Sequence, residues 1–173
     1  MNKVVIAGGA GAGKTRLINY LGARGYRVVP EVITLLNNEG LNPGNCDSFF
    51  DKTFDKQLSL EESIICGADD YVFLDRSSVD LFALCTLSLR KPPLGLVDYV
   101  PDFSHVFFIN AVFSPGIYLR AAKMHKDDYV SFARRIYHDL ELVHEQEGVY
   151  DLYILEHDLT RELYSTIASV LAL

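Results

Sequence analysis

Eight consecutive residues, Gly8-Gly9-Ala10-Gly11-Ala12-Gly13-Lys14-Thr15, have the spacing G-x-x-x-x-G-K-T. A loop that encloses phosphate oxygens with inward-pointing N–H groups needs backbone conformations and close approach that side chains obstruct, which accounts for the glycines. Lys14 is placed to reach the β- and γ-phosphates of a nucleotide, and Thr15 to ligate Mg²⁺ through its hydroxyl. The positive end of the following helix adds to the field that holds the anion. The expected ligand is a nucleoside triphosphate, ATP or GTP, with Mg²⁺.

Three further residues fall where such a loop would use them. Asp75 closes the apolar run Val72-Phe73-Leu74; a carboxylate there serves as a second Mg²⁺ anchor, or merely ends a strand in solvent. Arg76 follows it where a motor-type ATPase would carry a water-activating Glu. Neither D-x-x-G at Asp75 nor N-K-x-D after Ile109 occurs, which speaks against a regulatory GTPase and leans towards ATP. Glu31 follows the run Tyr26-Arg27-Val28-Val29-Pro30. It fits two roles: a general base that takes the proton from an attacking hydroxyl, or a carboxylate favouring the dipole of a short helix.

Arg120, Lys123, Lys126, Arg134 and Arg135 crowd residues 120–135. A lid over about 111–135 carrying such charges could cover the γ-phosphate and exclude water, with Arg120 and Arg134 as catalytic candidates; a solvated helix face is the competing reading. Arg134 and Arg135 are neighbours and point about 100° apart on a helix, so one at most faces inward. His125 and the acidic stretch from Asp139 to Glu162 read as surface.

The elements needed to position these groups are legible as a period that switches. Val4-Val5-Ile6-Ala7, Tyr26 to Val29, Tyr71 to Leu74, His105 to Ile109 and Leu152 to Leu155 are short apolar runs read as five strands buried on both faces. Helical spacing separates them: Lys14 to Ala23, stopped by Gly25; Val32 to Leu36; Asp47 to Gly67, capped by Asp47 or Ser48; and Val130 to about Gly148. Asp158 is expected to cap a last helix. Phe49, Phe50, Phe54 and Tyr71 could stack a base or belong to the core. The long helix and the Pro92-Pro93 loop are expected to shape the acceptor pocket.

The chain has 173 residues, of which 49% are hydrophobic and 23% charged, the composition of one globular domain spanning 1–173. Sixteen Lys and Arg against 23 Asp and Glu give a net charge of −7, which argues against nucleic acid or anionic membrane as a partner on net charge alone. Cys46, Cys66 and Cys85 show no C-x-x-C spacing and read as reduced thiols. No apolar stretch approaches the ~18 residues of a membrane span, and the expected compartment is cytoplasmic. The sequence leaves the oligomeric state open.

Together these residues resemble the AAA-labelled P-loop NTPase family that includes the ribosylnicotinamide kinase domain of bacterial NAD regulators, and more distantly nucleoside kinases. The resemblance rests on Gly8 to Thr15, on Gly25 to Glu31, on Phe73-Leu74-Asp75-Arg76-Ser77 followed by Asp80, and on Gly148 to Leu155 with Arg161. It implies a three-layer α/β fold, a five-stranded parallel sheet of kinase-type order 2-3-1-4-5, and helices on both faces. It also implies Glu31 as base and Arg76 as the phosphate or acceptor contact. The expected activity is a Mg²⁺-dependent kinase that phosphorylates a hydroxyl of a nucleoside-like small molecule; the alternative is a slow ATPase or GTPase, or a nucleotide-dependent switch.

Overall fold

A computed structural model describes residues 2–9, 11–64, 71–99, 102–109, 118–119, 124–125, 131–136, 151–155 and 160–173. Among them are strands β1 (Asn2–Gly8), β2 (Arg27–Val29), β3 (Tyr71–Asp75), β4 (His105–Ile109), β5 (Tyr118–Leu119), β6 (Met124–His125) and β7 (Asp151–Leu155). The helices are α1 (Lys14–Ala23), α2 (Val32–Asn38), α3 (Phe49–Glu62), α4 (Ser78–Leu87), α5 (described over 131–136) and α6 (Thr160–Leu171).

Five strands form one parallel sheet in the order β2-β3-β1-β4-β7, the kinase-type order. β1 lies at its centre and is buried from both sides. Val4 and Ile6 meet Leu17, Leu21, Leu163 and Ile167 of α1 and α6, while Val5 and Ala7 meet Val79, Ala83 and Ala133 of α4 and α5. A strand covered twice has no reason to alternate apolar with polar residues, which is why these strands read as unbroken apolar runs. A satellite core joins Val32 and Leu36 of α2 to Phe49, Phe50 and Phe54 of α3 and to Leu81 and Cys85 of α4.

The expected boundaries shift slightly. β2 begins at Arg27, and α3 runs from Phe49 to Glu62 with Ser48 at its N-cap, shorter than the span to Gly67. Phe49, Phe50 and Phe54 are core, and the Tyr71 hydroxyl donates to the Leu171 carbonyl at 3.2 Å, so none of the four is a free stacking platform. Cys85 is buried and Cys46 half-buried. Burial pushes the Cys85 thiol up to about 12, with Asp51 adding in the same direction. Asp158, Cys66 and residues 137–148 of the expected helix lie outside the described residues. No described helix is long and apolar enough to cross a membrane.

Candidate active site

In a parallel sheet of this kind ligands meet the carboxyl ends of the strands, and three such ends converge here. β1 ends at Gly8 beside Ile109 of β4, while the neighbouring β3 ends at Asp75, level with Ile6, and β2 at Val29, level with Leu74. The chain turns out of β1 at Gly8, where φ is +131° and a Cβ would stand 2.4 Å from the Ile109 carbonyl oxygen. Only glycine fits there. Gly11 and Gly13 also have positive φ, and Gly13 is the N-cap of α1 without any side-chain cap. The first turn of α1 therefore presents backbone N–H groups to the loop, as phosphate binding requires. The Ala12 N–H donates to the Gly9 carbonyl at 3.2 Å. Ala10 lies outside the described residues.

Lys14 folds back over this loop, its Nζ donating to the Gly9 carbonyl at 2.8 Å, and is 6% exposed. Burial lowers its pKa to about 8, Arg76 acts in the same direction, and Asp75, Asp80 and Glu31 offset part of the effect. A phosphate anion entering the loop would favour the charged form. The Thr15 hydroxyl donates to Asp75 Oδ2 at 2.7 Å. The other carboxylate oxygen, Asp75 Oδ1, is buried and has no hydrogen-bond partner among the described residues. Burial raises the Asp75 carboxyl above its ordinary range despite the opposing pull of Thr15 and Lys14. Two adjacent hard oxygens, one of them orphaned, fit Mg²⁺, which uses one or two protein oxygens and takes the rest of its shell from water and phosphate.

Glu31 and Arg76 meet beside this pair. The Arg76 Nε lies 2.5 Å from Glu31 Oε1, and Arg76 Nη1 3.6 Å from Asp80 Oδ1. The Thr34 hydroxyl donates to Glu31 Oε2 at 2.7 Å. Burial opposes ionisation of Glu31, but Arg76, the Thr34 hydroxyl and Lys14 together overcome it and hold the carboxyl below its ordinary range. Glu31 stands at the N-cap of α2 yet makes no side-chain cap bond; its carboxylate turns to Arg76 and Thr34 instead. Arg76 has φ +75°, left-handed backbone that a side chain adopts only when its surroundings impose it. Its N–H donates to the Ile6 carbonyl at 3.1 Å, tying the turn to β1. Asp80 is in turn fixed by α4: its Oδ2 accepts from the Ser77 N–H at 3.1 Å, and the Ser77 Oγ accepts from the Val79 N–H at 3.1 Å, a capping box.

Between α2, α3 and α4 a narrow cleft is lined by Glu31, Ile33, Thr53, Gln57, Arg76 and Leu81, among others. Thr53 and Gln57 were not picked out from the sequence. Their signal was a polar stripe at i, i+4 (Thr53, Gln57, Glu61) beside an apolar one, with all three buried. Pro92 lines a surface cleft with Asp47, Asp51, Arg90 and Lys91, separate from the one at Glu31. Arg134 and Arg135 are exposed on α5, whose Ala133 packs into the core; Arg120 lies outside the described residues, as does most of the segment 111–135.

The sequence from residue 3 to residue 143 matches the model of the AAA domain family. The chain belongs to that family. No curated protein matches it. Solved structures of similar fold include deoxyadenosine kinase of M. mycoides with dCMP and dCDP bound, at 13% identity and TM-score 0.59, covering 98% of each chain. The dATP-bound form of that enzyme aligns at 12% identity and TM-score 0.56, over 99% of this chain and 100% of its own. Thymidylate kinase of Candida albicans aligns at 11% identity and TM-score 0.58, over 99% of this chain and 91% of its own. At these identities the likeness establishes the α/β fold with its parallel sheet and helices.

Proposed function

We propose that this AAA-family chain is a phosphotransferase that moves the γ-phosphoryl group of ATP or GTP to a hydroxyl of a nucleoside-like small molecule. The observation that carries the proposal is Glu31, kept ionised by Arg76 at the mouth of the cleft and on the same sheet edge as the phosphate loop. The similar structures are a deoxyadenosine kinase and a thymidylate kinase, which supports an acceptor of the nucleoside or nucleotide class.

In this reading the loop from Gly8 to Thr15 holds the nucleotide phosphates through backbone N–H groups and Lys14. Mg²⁺, when bound by Thr15 and Asp75, would neutralise charge on the β- and γ-phosphates. Glu31 accepts the proton of the acceptor hydroxyl as that oxygen bonds to the γ-phosphorus and the bond to the β-phosphate oxygen breaks, releasing ADP. Arg76 orients Glu31 and offers positive charge beside the transferring group. The segment 111–135 acts as a lid, with Arg120 or Arg134 supplying further charge. Glu31→Gln is expected to lower acceptor phosphorylation by about 10²- to 10⁴-fold while Mg·ATP binding persists. Full phosphorylation by that variant would refute the assignment.

A further inference from the structure

The proposed base already holds a hydroxyl. Thr34 Oγ1 donates to Glu31 Oε2 at 2.7 Å, while the other carboxylate oxygen faces Arg76. Thr34 lies in the first turn of α2, three residues after the N-cap Glu31, and is exposed. A threonine in a helix can return its hydroxyl to a backbone carbonyl of the preceding turn. Here it turns to the carboxylate instead, and Glu31 makes no side-chain bond to the backbone of α2. The single hydroxyl proton is committed to Glu31, and the oxygen keeps its lone pairs for an electrophile. A hydroxyl that donates to an ionised carboxylate is in the state that general-base transfer requires of an acceptor. Lys14, which reaches the γ-phosphate in the proposed reaction, also acts on Glu31 and helps to keep it ionised.

We propose that Thr34 is a self-modification site, phosphorylated by the chain's own bound nucleotide when the cleft holds no acceptor. Thr34 Oγ1 bonds to the γ-phosphorus as its proton passes to Glu31 Oε2, and the bond from that phosphorus to the bridging oxygen of the β-phosphate breaks. The products are phosphothreonine and the nucleoside diphosphate, and Glu31 then returns the proton to solvent. Nucleophile, base and phosphate loop belong to one chain and to one edge of the sheet, so the transfer is unimolecular. The inference rests on the kinase reading and adds to it an acceptor inside the protein. The product is self-limiting. Phosphothreonine brings about −2 charge and strong acceptor oxygens against Glu31, repels that carboxylate and draws Arg76 away from it. The phosphorylated chain therefore loses the pair on which transfer to an external acceptor depends.

The test incubates the protein with γ-labelled ATP and Mg²⁺, with and without a small-metabolite extract, and follows label in the protein, in organic products and in inorganic phosphate. The expected result is acid-stable label in the protein, mapped to Thr34 by peptide fragmentation, approaching one phosphoryl group per chain at a rate independent of protein concentration. Thr34→Ser should keep the label, now on the serine; Thr34→Val, Glu31→Gln and Lys14→Ala should lose it. Peptide mapping of the unaltered protein decides the site even if a variant fails to fold. Label on another residue, label that survives Thr34→Val or Lys14→Ala, acid-labile label on a carboxylate, or a rate that rises with protein concentration each overturns the inference. Label in an organic product of the extract with none in the protein, under either condition, overturns it and leaves the kinase reading intact. Label in inorganic phosphate alone, or in nothing, overturns both.

Discussion

Arg76 carries more of the proposed chemistry than any other single residue, because it sits in a strained backbone position and faces two carboxylates. Glu31 has a folded-state pKa below its ordinary value, so the pairing contributes stability above the ordinary carboxylate range and loses it as pH falls through the lowered value. The same shift places the acid limb of the kcat/KM profile below the ordinary carboxylate range. Arg76→Met removes the largest opposing influence and leaves burial unopposed by that charge, so the limb should move to higher pH; an unmoved limb would mean that Arg76 does not set the state of Glu31. Gly8 offers a stability counterpart. Gly8→Ala combines a positive φ with a Cβ 2.4 Å from a backbone oxygen, and should cost roughly 2–4 kcal/mol in urea unfolding.

α4 explains why some elements were visible in the sequence and others were not. The run Ser78 to Leu87 is buried against both α3 and the sheet, and its apolar residues surround the helix instead of forming one stripe, so no 3.6-residue period stands out. No helix is expected there from the sequence; the signal left unread is chemical, Ser77 and Asp80 at capping-box spacing directly after the β3 carboxylate. Ser77→Ala should therefore lower stability by about 1 kcal/mol, read from the urea midpoint, and should also loosen Asp80 and with it Arg76. The strands were legible because burial on both faces writes itself as continuous Val, Ile and Phe, and the phosphate loop because its glycines have no substitute. The cleft was not, since Thr53 and Gln57 come from α3 and meet Glu31 and Arg76 only through tertiary packing.

At the scale of the molecule, a central strand flanked by β3 and β4 brings the loop, the Thr15 and Asp75 oxygens and the Glu31–Arg76 pair to one edge. Any ligand bound there stabilises the whole fold by mass action, about 2.7 kcal/mol at a hundred times its Kd. Mg·ATP should raise the melting temperature of the protein and leave that of Lys14→Ala nearly unchanged; equal shifts in both would remove the loop from nucleotide binding. The most direct test of the central claim is the fate of label from γ-labelled ATP, incubated with the protein, Mg²⁺ and a pooled small-metabolite extract, against Lys14→Ala as control. The account predicts label in an organic product that requires both the extract and Lys14. Label that goes to inorganic phosphate alone, at the same rate with and without the extract, would contradict it.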